Sequence, residues 1–359
     1  LGLWESVGVS LTRGQALLDD VSITGPGDEG TGVYATGTGA VMMKEVKISE
    51  VDKGVEVISG KLMMHKGSVA FNGGHGIYLK KGEGVLKDVS ITGPGDKGTG
   101  VYATGMGGVM MKEVRISEVR TGVWVKNRAN AILMGGEIGF TGNYGVYLDK
   151  GGAALKNVRM IYTGTNDTAE FIKVKGGIVI AEDIIITSTT DNGQGISVNN
   201  GGQVWLTGTD LKGVHKGMTI TEGIVRMFGG EIGFKGDYGV YLNQGGVALI
   251  AVKMTYTGNN NEAEFIRIVG EDTTNAVEKT GKVQKNAVVV ASHLTIDGNG
   301  YGQGMRVVDG GRVVLIRPTY TNIYNGMNIT KGAVYMEGGE INFKGEYGVY
   351  FTRHKYNIT

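Results

Sequence analysis

Thirteen glycine-led segments recur along this chain, each reading glycine, aliphatic, any residue, apolar, and most start 22 to 24 residues after the last. The series runs from Gly8, Gly32 and Gly54 to Gly304, Gly326 and Gly348, and Ala169 and Ala263 stand where the glycine is expected in two further units. A unit of this length cannot bury its own apolar face, but stacked in register with its neighbours it can. A longer repeat lies above the short one: residues 17–55 recur at 85–123, a shift of 68, so that Val21-Ser-Ile-Thr-Gly-Pro-Gly-Asp28 returns as Val89-Ser-Ile-Thr-Gly-Pro-Gly-Asp96.

Each unit reads as three short strands joined by turns, as in Gly32-Val-Tyr-Ala-Thr36, Ala40-Val-Met-Met-Lys44 and Glu45-Val-Lys-Ile-Ser49. No stretch sustains a helical period, and Gly, Asn and Asp bound the strands. Aligned on their glycines, the units give two aliphatic columns, Val9, Val33, Val55, Ile77 and onward, and Leu11, Ala35, Val57, Leu79 and onward. Positions two apart in a strand share a face, so these columns are the expected interior ladders. The pattern predicts an all-β fold, a single right-handed parallel β-helix over residues 1–359, with about fourteen coils of 22–24 residues, of the pectin-lyase and pertactin kind. Glu170 and Glu264 break the second column, through either a bulge or a different register in those two coils. Propeller blades need longer units, and leucine-rich repeats need an L-x-x-L-x-L spacing that is absent.

Composition supports this reading. The chain has 65 Gly but only 3 Pro, which fits many tight turns and not collagen or a Pro-rich linker. With no Cys there are no disulfides, thiol nucleophiles or thiolate metal sites. A net charge of +1 without a basic run gives no footprint for nucleic acid. No apolar run reaches the length of a membrane span. The chain starts at Leu1 without Met or a visible signal peptide, as expected of a piece of something longer.

The chemical motifs dissolve on alignment. Gly25-Pro-Gly-Asp-Glu-Gly30 matches a dinucleotide fingerprint, but a strand follows it where a helix would be required. Asp19-Asp20 and His75 resemble the acid pair and the histidine of pectin-degrading enzymes, yet sister units carry Lys87-Asp88 and Tyr144 there. Asp297-Gly-Asn-Gly starts like a calcium loop but has Val308 at the twelfth position. Lys235-Gly-Asp237 varies freely among sister turns. No catalytic group, metal or cofactor is expected.

Two features remain. The third position of the glycine-led strands should point outward, and it is aromatic in Tyr78, Tyr102, Trp124, Tyr147 and Phe171 on successive units. Such a row either stacks to protect the sheet or also recognises a partner. The second feature is an insertion at 271–285, whose charged residues Glu271, Asp272, Glu278, Lys279, Lys282 and Lys285 would sit on a projecting loop, for binding or as neutral decoration.

The strings G-V-Y-A-T-G, V-M-M-K-E-V-[KR]-I-S-E-V, G-G-E-I-G-F-[TK]-G-[ND]-Y-G-V-Y-L and K-N-V-R-M resemble the passenger domains of type V autotransporters, most closely those of Bartonella. The resemblance implies a non-enzymatic secreted or surface protein, exported by its own outer-membrane translocator barrel, which this chain does not contain. For the angiogenic members it further implies binding and activation of the vascular endothelial growth factor receptor on host endothelial cells. It assigns no contact residue. The alternatives are an adhesin or self-associating surface rod without signalling, and a polysaccharide-active β-helix enzyme.

Overall fold

The structure, a computed structural model, describes residues 6–270 and 287–352. Every regular element among them is a β-strand, and the strands pair in parallel. The chain divides into two compact units between Thr190 and Asp191. In the first, Val9, Val33, Val55, Ile77, Val101, Val123, Val146 and Ile172 are Cα partners in one unbroken ladder. In the second, Ile196, Met218, Val240, Ile266, Met305, Met327 and Val349 make the same ladder. Each unit is a right-handed parallel β-solenoid, and the described residues make about 15 turns in all, close to the expected number.

Each coil contributes one strand to each of three faces. In the second coil these are Thr31–Ala35 on the glycine-led face, then residues 40–44 on the second face and 47–49 on the third, both inside the long strand Ala40–Val57. The column of the ladder is fully buried in Val33, Val55, Ile77, Val101 and Val123, and so is the next inward column in Val57, Leu79 and Val125. Burying each such side chain contributes about 1.5–3 kcal/mol, which is how coils too small for a core of their own hold together.

The glycines that lead the strands are there for space. A Cβ on Gly76 would stand 2.5 Å from the Ile91 side chain and 2.8 Å from the Gly100 carbonyl oxygen. In many coils the bend from the second face to the third is a single residue in the left-handed region, with φ of 52° at Asp20, 54° at Glu45, 55° at Asp88 and 54° at Asn157, and in others it is a pair, as at Lys66-Gly67 and Gly135-Gly136. Asp19-Asp20 is therefore the end of one strand plus a corner. Asp19 pairs with Lys44 on the next rung at 3.2 Å.

The coils with Glu170 and Glu264 follow the second of the two open readings. Val146 pairs with Ile172 and Leu148 with Val174, two residues later than alignment on Ala169 would place them. Val240 likewise pairs with Ile266. Phe171 and Phe265 thus occupy the glycine position and point inward, where both are fully buried. Phe171 meets Phe140 edge-on at 5.2 Å and Tyr162 at 6.1 Å. Phe265 repeats this with Phe234 at 5.2 Å and Tyr256 at 6.3 Å. The Tyr162 hydroxyl accepts the Asn166 N–H at 2.9 Å and donates to the Asn166 carbonyl at 3.0 Å, which ties the longer turn of this coil to the core.

Candidate recognition face

The outward column of the glycine-led face in the first unit reads Tyr34, Glu56, Tyr78, Tyr102, Trp124, Tyr147 and Lys173, each the Cα partner of the next. Four of the five expected row residues are brought together: ring centroids lie 5.0 Å apart for Tyr78–Tyr102, 4.7 Å for Tyr102–Trp124 and 5.6 Å for Trp124–Tyr147, all stacked. The fifth is a correction. Phe171 is absent from the row because the register of its coil shifts by two residues, and Lys173 stands beside Tyr147 instead.

Parallel in-register coils set successive side chains about 4.8 Å apart, close to the separation at which aromatic rings stack. The rings cover one another's faces, so solvent meets their edges and hydroxyls, and each residue is half-buried. Burial lifts the Tyr78 and Tyr147 phenols above their ordinary range, and they stay neutral donors at pH 7. Lys126 lies 5.5 Å from the Trp124 ring centre, a cation over an aromatic face. The Trp124 indole N–H is buried without an acceptor.

Charge closes the row at both ends. Before Tyr78 comes Glu56, whose Oε1 is 3.3 Å from His75 Nε2 and whose Oε2 is 3.9 Å from Lys53 Nζ. The His75 ring holds the Glu56 carboxyl below the usual carboxylate range against the opposing effect of burial. The approach is close, but its geometry falls short of an ideal hydrogen bond. His75 also packs on Tyr78 with centroids 5.0 Å apart. After Tyr147 comes Lys173, which donates to Glu170 Oε1 at 2.7 Å. Tyr144 stacks on Tyr147 at 4.8 Å and widens the patch.

The remaining sequence candidates lie elsewhere. Asp297 Oδ1 accepts the Asn299 N–H at 3.1 Å, as an ordinary Asx turn does. Lys235 pairs with Asp191 at 2.6 Å, and Asp237 with Lys216 at 3.7 Å. The insertion residues Glu271, Asp272, Glu278, Lys279, Lys282 and Lys285 fall outside the described residues.

A further outward column escaped sequence reasoning. On the second face of the first unit, Leu17, Met42, Met63, Val85, Met110, Ile132, Ala154 and Ile180 are partners on eight successive rungs. The signal was present in the doublets Met42-Met43, Met63-Met64 and Met110-Met111. With a strand period of two, one methionine of each doublet has to face out.

Comparison with protein families matches a model described as a right handed beta helix region to residues 31–183. No curated protein matches the chain. No solved structure matches it either. The matched stretch holds the aromatic row from end to end, and the two units share the right-handed parallel β-helix fold.

Proposed function

We propose that this protein is a passenger-type binding ligand, secreted or displayed at a Gram-negative cell surface, whose partner is a host endothelial receptor protein. The vascular endothelial growth factor receptor is the receptor that the sequence resemblance implies. The observation that carries the reading is the closed aromatic row of Tyr78, Tyr102, Trp124 and Tyr147, bounded by Glu56 with His75 at one end and Lys173 with Glu170 at the other.

Tyr and Trp concentrate at protein interfaces because they offer large, stiff contact area with a polar edge. Here the ring faces are already taken by one another. A sugar that needs an open ring face to stack on is a poor fit, and a protein surface that meets edges, hydroxyls and flanking charges is a good one.

The test pairs the full chain with a triple variant, Tyr102→Ser with Trp124→Ser and Tyr147→Ser. Saturable binding to purified receptor ectodomain and receptor phosphorylation in endothelial cells are expected for the parent chain. The triple variant should bind at least about tenfold more weakly while losing about 1–3 kcal/mol of stability. Cell attachment without phosphorylation would support an adhesin instead. A null in both assays would remove the receptor reading, and turnover of a polyuronate would replace it with an enzyme.

A further inference from the structure

The apolar column on the second face of the first unit is an exposed patch without a covering element among the described residues. Leu17, Met63, Val85, Met110, Ile132 and Ile180 are each between 39% and 69% exposed. Scattered exposed hydrophobics are ordinary, but a continuous line of them is not. Eight rungs at about 4.8 Å and strands of five residues make a flat area roughly 34 Å by 17 Å, on the order of 600 Å² in projection. The apolar column runs down the middle of that area, between polar edges. The whole face, polar edges included, approaches the roughly 800 Å² per partner of a standard interface without exceeding it.

The rim shows what fits. Three of the four lysines along one side of the column lie beside carboxylates: Lys44 with Asp19 at 3.2 Å, Lys87 with Asp88 at 4.0 Å and Lys156 with Glu182 at 2.9 Å, Lys112 being the fourth. With one lysine in four left without a carboxylate beside it, this rim offers little to a polyanion or an anionic lipid surface. On the other side, in the same coils, stand Ala40, Glu83, Gly108 and Gly152.

We propose that this face pairs with the same face of a second copy, about a two-fold axis parallel to the direction in which the coils stack. In that arrangement each coil meets its own counterpart. Met110 meets Met110, and each lysine lands opposite the strand start of the same coil in the other copy. Lys44 then faces Ala40, Lys112 faces Gly108 and Lys156 faces Gly152, where small residues leave room for the lysine stem, while Lys87 faces Glu83, whose carboxylate also lies 3.7 Å from Lys61 of its own copy. His65 opposite Lys61 is the one unfavourable juxtaposition. A two-fold axis along the strands would instead set lysines against lysines. The result is an isologous sheet-on-sheet contact of the kind aliphatic β-faces make. It uses a different face from the aromatic row, so it stands or falls separately from the receptor reading.

Because the chain has no Cys, single cysteines report the pairing cleanly. In the full chain at about 100 µM, a concentration suited to interfaces of this size, sedimentation is expected to show a dimer. The pair Val85→Glu with Met110→Glu is expected to be monomeric with an unchanged melting temperature. Val85→Cys, Met110→Cys and Ile132→Cys should each join two copies through a short bis-maleimide, which spans the roughly 10 Å between facing sheets, and Lys47→Cys, exposed on the third face, should not. A monomeric parent chain overturns the proposal, as does a dimer that survives the double substitution. Crosslinking of only one of the three positions overturns the parallel axis. A monomer that floats with anionic vesicles overturns pairing in favour of a lipid surface.

Discussion

The glycine-led face of the first unit carries rings on consecutive rungs, and the same face of the second unit carries charge. There the outward column runs Thr219, Tyr241, Arg267, Arg306 and Asn328. Arg267 and Arg306 are direct neighbours on adjacent rungs, an arrangement that like charges resist. Glu264 lies between them, its carboxylate oxygens 3.6 Å and 3.3 Å from the two guanidinium groups. The first unit obeys the same rule wherever its row is interrupted. Glu56 is met by Lys53 and His75, and Lys173 by Glu170. In each case the counter-charge comes from the position just before the glycine, or before the phenylalanine that replaces it, three residues ahead of the charge it balances: Lys53 for Glu56, Glu170 for Lys173, Glu264 for Arg267. Rings need no such partner, since in-register stacking is itself favourable. One scaffold thus supports two kinds of outward column, and only the charged kind has to recruit its neighbour.

The comparison breaks most easily at the two coils where both units place phenylalanine inside. Phe171→Ala and Phe265→Ala should each cost about 3–5 kcal/mol in denaturant unfolding, as large-to-small changes in a closed core do. A loss under about 1 kcal/mol at Phe171 would return it to the surface row. Next in size is Arg306→Ala, which should cost about 2 kcal/mol because it strips a partner from a buried carboxylate, with the partial exposure of the arginines limiting the effect. Glu264→Gln alone should cost less than Arg306→Ala; the reverse order would mean that the network is not organised around Glu264.

The smallest effect separates the two carboxylates by pH. Glu56 is held below its usual range by His75, so its contribution to stability is present above the unfolded-state value of about 4.5 and is lost as pH falls through the lower folded value. Glu264 is pushed up by burial, only partly offset by Arg267 and Arg306, so its ionised form is a cost at neutral pH that disappears as pH falls through the raised value. Thermal melts from pH 7 to pH 3 should show Glu56→Gln flattening the acid loss of stability. Glu264→Gln should remove a small gain in the same range. Parallel behaviour of the two variants would erase the distinction.

Much of this was readable from the chain. The 22-to-24-residue glycine spacing and the aliphatic columns specify stacked coils, and four members of the aromatic row fall where the alignment places them. The slip at Phe171 came from giving glycine's place to the small residue Ala169. The physical requirement was for the aliphatic pair Ile172 and Val174 to keep the ladder, and it outweighs resemblance in size. Once the ladder is kept, Phe171 must turn inward, which works because Phe140 and Tyr162 leave a ring-shaped space. The apolar column from Leu17 to Ile180 is harder to read, because doublets such as Met42-Met43 look like continuous core sequence until strand alternation turns one methionine of each outward. The counter-charges before the glycine were hidden for another reason: they touch across rungs as well as along the strand, and cross-rung partners such as His75 and Arg306 lie 19 or more residues away in sequence.

The three-coil repeat that relates residues 17–55 to 85–123 has a mechanical corollary. Each coil in the first unit passes its backbone amides and carbonyls to the coils on either side, as Thr121 does to Gly98 and Gly152 to Ala129, and keeps almost none for itself. A block of whole coils could therefore be spliced in or cut out with the joints on each side closing on equivalent partners. Reach becomes a quantity adjusted in steps of about 5 Å per coil, with the chemistry of each outward column lengthened or shortened in proportion.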